Sequence, residues 1–274
     1  RDARLRESLL NVHEQAAAFF REALASPAGV RARQQLKDRD VSEKTIEQLG
    51  LGFAPQSRDE LKKALRKQGF PEGLLVRSGL MVQRDNGEVV DRFRQRLMIP
   101  ICRDTTGSVI AFGGRQMDPG QGGPKYLNSP ETPIYSKSRT LYGLHLTKAA
   151  VRKTGFAVLV EGYFDFAQVF QSQAAPVVAS CGTALTPQQA QLLHRFTTKV
   201  VLSYDPDLAG EGAAARSCDL LVTEGFDVNV AVLDRGEDPD TFIRRKGPER
   251  YREKLRGSRP YLEYLLDRAA SSHD

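Results

Sequence analysis

The strongest constraint on the fold is an alternation of short apolar runs with helical stretches after Lys153. The apolar runs are FAVLV (156–160), VVAS (177–180), KVVLSY (199–204) and DVNVAVL (227–233). Helical periodicity lies between them, near residues 163–171, 187–196 and 211–224. Strands that alternate with helices form a parallel sheet with crossover connections, so this half of the chain is predicted to be an α/β domain.

The first half of the chain has a different pattern, in which helices come first. Apolar side chains recur at helical spacing from Leu5 to Leu24, which predicts one long helix. A second helix is predicted to begin at Ser57, with Glu60 as its partner in a capping box, and to end at Gly69. Both helices precede the strands of this half.

Two β-hairpins are predicted after these helices. Asp85-Asn86-Gly87 separates LMVQR from VVDRF, and Thr105-Thr106-Gly107 separates RLMIPICRD from SVIAFGGR. Short polar turns between apolar runs are a strong local signal for a hairpin. A loop rich in Gly and Pro, PGQGGP (119–124), follows the second hairpin.

Five acidic residues stand where strands of the parallel sheet are predicted to end: Glu161, Asp205, Asp207, Asp238 and Asp240. Ligands bind beyond the carboxyl ends of such strands, so these carboxylates are expected in one crevice. Each Asp-x-Asp pair has i, i+2 spacing, which on an extended backbone directs both side chains the same way. Crowded carboxylates repel one another unless cations lie between them. The pattern predicts one or two Mg²⁺ ions that clamp a phosphoryl transfer, although one such pair alone is more often a turn or a helix cap.

Charge is distributed unevenly along the chain, whose net charge is +6. Residues 1–155 carry 27 Lys and Arg against 17 Asp and Glu, whereas the remainder carries 13 against 17. A basic half joined to an acidic half suits a track for a polyanion that leads to a cation site. On composition alone, an ordinary solvated basic surface is the simpler explanation.

Composition also bounds the class of protein. The 274 residues contain no apolar stretch of about 18 residues and no leader, so a soluble, cytoplasmic chain is predicted. The chain begins with Arg1 rather than Met, which suggests a piece of a longer protein. The thiols of Cys102, Cys181 and Cys218 are predicted to be reduced, and neither the cysteines nor the four histidines have the spacing of zinc ligands.

Residues 157–240 resemble a Toprim domain. The resemblance rests on EGYFD after the first apolar run, DPDLAG after the third and GEDPD after the fourth. The fold serves primases, topoisomerases and some nucleases, so it does not by itself define an activity. The family more often has Gly where this chain has Pro206, a change that stiffens the turn and removes no carboxylate.

Four basic motifs precede the region that resembles Toprim: RFRQRLMIPI (92–101), GGR (113–115), PKYLNSPET (124–132) and YSKSRTLYG (135–143). These motifs narrow the resemblance to bacterial DnaG-type replicative primases. The resemblance implies an α/β protein with a mixed α+β N-terminal subdomain (1–148), a Toprim subdomain with a Rossmann-like parallel sheet (149–241) and the start of a helical subdomain (242–274). The alternative for RFRQR alone is the charged, solvated face of an edge strand.

The resemblance also implies roles for individual residues. Residues near template, nascent RNA or nucleotide would be Arg92 or its neighbour Arg94, Arg115, Lys125, Tyr126, Asn128 and Lys137. Glu161, Asp205 and Asp207 would be catalytic, and Asp165, Asp238 and Asp240 would complete the metal site. Glu161 would be either a metal ligand or the base that accepts the hydroxyl proton. Asn128 and Ser129 would add neutral donors, and Tyr126 and Tyr142 are candidates for base stacking, with core packing as the equal alternative.

The implied activity is Mg²⁺- or Mn²⁺-dependent synthesis of short RNA from nucleoside triphosphates on single-stranded DNA. The family's zinc-binding domain and the domain that contacts the replicative helicase are not in this sequence. Guanosine tetra- and pentaphosphate are expected to compete for the nucleotide site, and no membrane partner is expected. Two alternatives stay open: another Toprim enzyme, such as a topoisomerase or nuclease, and a non-catalytic nucleic-acid-binding module.

Overall fold

The computed structural model describes residues 2–182, 184–204 and 208–271. The chain divides into two compact units, Arg1–Ser136 and Lys137–Asp274. The division falls before the predicted boundary at residue 148, and the further boundary at residue 241 stays a prediction. No helix within the described residues combines the length and the apolar character that crossing a membrane requires.

The first unit contains five helices and six strands within its described residues. In chain order they are α1 (Asp2–Ala25), α2 (Val30–Asp38), α3 (Glu43–Leu49), β1 (Gly52–Ala54), α4 (Glu60–Lys67), α5 (Glu72–Arg77), β2 (Met81–Gln83), β3 (Val89–Asp91), β4 (Arg96–Cys102), β5 (Val109–Gln116) and β6 (Tyr126–Asn128), with a 3₁₀ turn at Pro27–Gly29. The predicted long helix is therefore confirmed as α1.

An antiparallel sheet with strand order β1-β4-β5-β6 organises this unit. Helix α1 crosses it closely, because a Cβ at Gly52 of β1 would lie 2.6 Å from the Cβ of Phe20. Phe20 packs edge-on against Phe112 of β5, with ring centroids 5.2 Å apart. Both rings are buried, so their contact fixes the helix on the sheet.

Both predicted hairpins are present, as the antiparallel pairs β2–β3 and β4–β5. The predicted capping box at Ser57 is present in part: the Ser57 hydroxyl accepts the N–H of Glu60 at 3.1 Å, but α4 begins at Glu60 and its N-cap residue is Asp59. The next two N–H groups of the first turn, those of Leu61 (2.9 Å) and Lys62 (3.0 Å), donate to the buried carboxylate of Asp91. A residue distant in sequence thus completes the cap that Ser57 begins.

The second unit is the predicted α/β half. Its elements are a 3₁₀ turn (Lys137–Arg139), α6 (Leu144–Thr154), β7 (Ala157–Val160), α7 (Tyr163–Gln171), β8 (Val177–Ala179), α8 (Pro187–His194), β9 (Lys199–Tyr204), α9 (Leu208–Thr223), β10 (Asp227–Val232), α10 (Pro239–Lys246), α11 (Pro248–Arg256), β11 (Arg259–Pro260) and α12 (Tyr261–Ser271).

These strands form one sheet with the order β11-β10-β9-β7-β8. The four predicted strands β7 to β10 are parallel, which confirms the α/β fold class, and β11 adds an antiparallel edge that the sequence analysis did not predict. Buried aliphatic side chains such as Leu159, Val178 and Leu202 form the core beneath α6, α8 and α9. The carboxyl ends of β7, β9 and β10 therefore share one edge of the sheet.

Candidate active site and nucleic-acid interface

Glu161 directly follows β7, and its side chain is exposed at the carboxyl edge of the parallel sheet. The carbonyl of Glu161 accepts a hydrogen bond from the N–H of Cys181 at 2.8 Å, which ties this strand end to that of β8. Burial raises the pKa of Tyr204, the last residue of β9, and the negative charge of Glu161 adds to the rise. Glu161 thus lies close to the end of the central strand.

Asp165, in the first turn of α7, lies beneath this edge and is buried. Its carboxylate accepts the N–H of Gly162 (3.1 Å) and the N–H of Asp240 (3.0 Å). Burial and then the charge of Asp238 raise its pKa to about 8, against the effect of the two backbone hydrogen bonds. One oxygen holds its own turn and the other holds the start of α10.

Asp238 and Asp240 are not arranged as predicted. Asp238 is the N-cap of α10, where its Oδ1 accepts the N–H of Thr241 at 2.8 Å, and Asp240 is already helical. Asp240 is buried and pairs with Arg244, whose Nε donates to its Oδ1 at 2.9 Å. The two carboxylates therefore do not project together from an extended backbone, because Pro239 begins a helix between them.

Asp205 and Asp207, which follow β9, lie outside the described residues. Within residues 2–182, 184–204 and 208–271, no three side chains of His, Cys, Asp or Glu are grouped to hold a metal ion. The donor chemistry nevertheless fits a divalent cation, since Glu161 presents an exposed carboxylate and acidic charges crowd around Asp165. The metal-binding role of each residue stays a prediction.

The basic motif RFRQR lies in the first unit and lines a cavity of about 450 Å³ with Arg92, Arg94 and Arg96. Nη2 of Arg92 donates to the carbonyl of Asn128 at 3.0 Å. Its Nε is buried without a hydrogen-bond partner among the described residues. Burial lowers the pKa of Arg92, although a guanidinium stays charged. A concave group of arginines of this kind suits a phosphate ligand.

The other predicted basic residues of this unit lie along β5 and β6. Arg115 pairs with Tyr126 in the antiparallel register, and Gly113 pairs with Asn128. Lys125 is exposed, directly before β6, and its carbonyl accepts the N–H of Gln116 at 2.9 Å. The sheet therefore sets the position of these residues.

Two other candidates are buried. Ser129 has no exposed surface, and its hydroxyl accepts the N–H of Phe112 at 2.9 Å, so the prediction that it donates to nucleic acid is wrong. Tyr142 packs edge-on against Tyr163 and Phe166, with centroids 4.9 Å apart in each pair. Of the two alternatives for Tyr142, base stacking and core packing, core packing is the one observed.

Lys137 opens the second unit in its 3₁₀ turn. The buried side chain of Gln189 donates to the carbonyls of Lys137 (3.1 Å) and Thr140 (2.8 Å), while Thr186 donates to Ser138. The start of α8 thus holds the backbone of Lys137. Sequence reasoning placed Lys137 in the basic unit and missed Gln189, since only the fold brings it to this turn.

Comparison with known proteins identifies the family to which the chain belongs. Residues 19–148 match the family described as DNA primase catalytic core, N-terminal domain, and residues 158–243 match Toprim-like. The solved structure of the DnaG primase catalytic domain bound to single-stranded DNA is 37% identical, with a TM-score of 0.87 over 97% of this chain and 83% of that one. The chain belongs to the DnaG primase family. It corresponds to the catalytic core of DnaG primases, which confirms the resemblance given by the motifs.

Two other DnaG proteins are also similar to this chain. The RNA polymerase domain of Mycobacterium tuberculosis DnaG is 34% identical, with a TM-score of 0.88 over 96% of this chain and 87% of that one. The DNA primase of Clostridium acetobutylicum is 39% identical over 264 residues, which are 96% of this chain and 43% of that protein. The chain thus spans less than half of this curated relative. Toprim primases as a family use divalent metal ions.

Proposed function

We propose that this chain catalyses DNA-templated synthesis of short RNA primers from nucleoside triphosphates. The observation that carries the proposal is the exposed carboxylate of Glu161 at the carboxyl edge of a Toprim sheet, next to the strand that leads into Asp205 and Asp207. The similarity of this chain to DnaG catalytic cores supports the same activity.

In this proposal the metal ligands are Glu161, Asp205 and Asp207, with Asp238 at the same edge. Bound Mg²⁺ or Mn²⁺ would neutralise the triphosphate and favour ionisation of the attacking 3′-hydroxyl. Glu161 either binds an ion or accepts the hydroxyl proton. Asp165 and Asp240 act mainly by holding the turn after β7 against the start of α10, since their oxygens already accept hydrogen bonds.

The basic residues hold the other reactants. Arg92, Arg94, Arg115 and Lys125 neutralise phosphates of template, nascent RNA or nucleotide, and Lys137 does so from the second unit. A relative whose catalytic domain was solved with single-stranded DNA supports this assignment. Attack of the primer 3′-oxygen on the α-phosphate then releases pyrophosphate, with charge neutralisation and positioning as the main sources of rate.

The wider partners follow from the family. We propose that the parent protein acts in the bacterial cytoplasm at the replication fork, contacts the replicative helicase through another domain and binds zinc in another domain. Guanosine tetra- and pentaphosphate are proposed inhibitors of the nucleotide site.

The test supplies nucleoside triphosphates, Mg²⁺ or Mn²⁺, and a single-stranded template with a short primer. New RNA made by the wild-type chain, and lost in Glu161→Gln while binding of single-stranded DNA survives, supports the proposal. Because Glu161 is exposed, we expect this variant to fold as the wild type does. Relaxation or nicking of DNA would favour another Toprim enzyme, and binding without any reaction would favour a binding module.

A further inference from the structure

The segment before β6 is rich in glycine but is held at several points. This glycine loop, residues 119–125, exposes Gly122, Gly123 and Lys125. Gly122 and Gly123 both have φ of +78°, a backbone conformation that favours glycine. A flexible loop of this composition would lose much conformational entropy on binding a ligand. The protein supplies two buried side chains that order it beforehand.

The first of these side chains is Arg96, at the start of β4. It is 5% exposed, and its Nη1 donates to the carbonyls of Gly114 (3.0 Å) and Pro124 (3.0 Å), with a longer contact to Lys125 (3.5 Å). The guanidinium therefore joins β5 to the end of the glycine loop. Burial and the nearby charge of Arg92 lower its pKa, and the carbonyl oxygens offset the cost of burying the cation.

The GGR motif leaves the space that Arg96 occupies. A Cβ at Gly114 would lie 3.0 Å from Cδ of Arg96 and 2.8 Å from Cδ1 of Phe93. Glycine at this position lets the arginine stem cross the strand. Gly114 of the GGR motif thus makes room for Arg96 of the RFRQR motif.

The second side chain is Gln116, the last residue of β5. Its Nε2 donates to the carbonyls of Gly122 and Gly123, each at 2.8 Å. Gln116 lies opposite Arg96 in the register of β4 and β5. Four consecutive carbonyls, from Gly122 to Lys125, are therefore held by this pair of residues.

We propose that Arg96 is a positioning residue for primer synthesis: it fixes the end of the glycine loop so that Lys125 is ordered before a phosphate binds. The inference rests on the proposed function of Lys125. All three arginines line the cavity, but Arg92 and Arg94 are half-buried and would bind phosphate directly, whereas Arg96 is buried and acts through the backbone carbonyls. Without the guanidinium of Arg96 the glycine loop can move, and the entropy cost of ordering it then reduces the affinity for the ligand.

A double-mutant cycle tests the proposal with Arg96→Lys, Lys125→Ala and the two combined, in primer extension and in binding of a single-stranded oligonucleotide. Arg96→Lys keeps the charge but loses the planar fork. We expect KM for nucleotide or Kd for the oligonucleotide to rise at least about tenfold with a smaller change in kcat. The combined variant should be no worse than Lys125→Ala, since Arg96 acts through Lys125. Arg84→Lys, an exposed arginine in the first hairpin, is the matched control.

Additive effects of Arg96→Lys and Lys125→Ala would overturn the proposal, because Arg96 would then act on its own. A purely structural role would lower Tm and active fraction and leave KM unchanged, which also overturns it. Wild-type kinetics for Lys125→Ala would show that the assignment of Lys125 itself is wrong. If Arg96→Lys does not fold, Gln116→Met loosens the same loop from β5, and its effect must be equally non-additive with Lys125→Ala.

Discussion

The N–H of Asp240 donates a hydrogen bond of 3.0 Å to the buried carboxylate of Asp165, 75 residues earlier in the chain. This bond joins the turn after β7 to the turn after β10, on either side of the central strand β9. The same carboxylate accepts the N–H of Gly162. Asp165 therefore braces the edge of the sheet on which Glu161 lies.

Asp165→Ala should destabilise the protein even without metal ions. The buried N–H of Asp240 and the half-buried N–H of Gly162 would lose their acceptor, and each such loss costs about 1–3 kcal/mol. We expect the free energy of unfolding in urea, measured with chelator at about pH 3.5, to fall by roughly 2–4 kcal/mol, because the contribution of an acid whose pKa rises from 3.8 to about 8 is present below that range. Glu161→Gln is the control and should change it by less than about 0.5 kcal/mol. Equal stability of the two variants would contradict the bracing role.

Lys125→Ala should weaken binding of single-stranded DNA in a salt-dependent manner. If Lys125 neutralises one phosphate, the slope of log K against log salt should decrease by roughly 0.7. Fluorescence anisotropy at several salt concentrations measures this slope. Lys63→Ala, an exposed lysine of α4, serves as the control. A change in affinity with an unaltered slope would mean that Lys125 acts by some route other than a phosphate contact.

His13 should contribute to loss of stability in acid. It is buried in α1, stacks on Phe112, and hydrogen-bonds through Nδ1 to the carbonyl of Leu9 at 2.8 Å. Burial lowers its pKa from 6.5 to about 4, so its contribution is fully present above pH 6.5 and is lost as pH falls towards 4. The loss amounts to about 3 kcal/mol. His13→Phe should flatten the pH dependence of unfolding in this window, and an unchanged acid limb would refute the assignment.

Asp91 should act in the opposite direction in an overlapping range. Burial raises its pKa from 3.8 to about 6, although it accepts two N–H groups from α4. Its stabilising contribution is fully present below pH 3.8 and is lost as pH rises through about 6. Asp91→Asn should remove this dependence of the free energy of unfolding on pH. Urea unfolding between pH 3.5 and 7, in steps of about 0.5 pH, measures it across both pKa values. Persistence of the slope in the variant would assign it to other groups.

Guanosine tetraphosphate should inhibit primer extension in competition with nucleoside triphosphate. A site of metal-bound carboxylates with Lys and Arg recognises polyphosphate charge more strongly than a particular base. Raising the nucleotide concentration should relieve inhibition, and Lys125→Ala should weaken it. Inhibition that is constant as nucleotide rises would place the regulator at another site.

The sequence by itself determined the parallel strands, the two hairpins, the long first helix and the family. Alternating apolar runs predicted the parallel strands β7 to β10, and the polar turns at 85–87 and 105–107 predicted the two hairpins. These signals are local, because side chains that recur every two or every three to four residues face one side of a strand or helix. The motifs were equally readable, since they are continuous stretches of chain.

Tertiary structure alone decided which residues of those motifs are available to a ligand. The sequence names Glu161, Asp165 and Asp240 alike as acidic site residues. In the structure Glu161 is exposed, whereas Asp165 and Asp240 are buried and hydrogen-bonded. Likewise Arg92 is half-buried, whereas Arg96, four residues later, is buried and donates to backbone carbonyls of β5 and the glycine loop. The reason is physical: burial and hydrogen-bond partners depend on residues far away in sequence, and no local period records them.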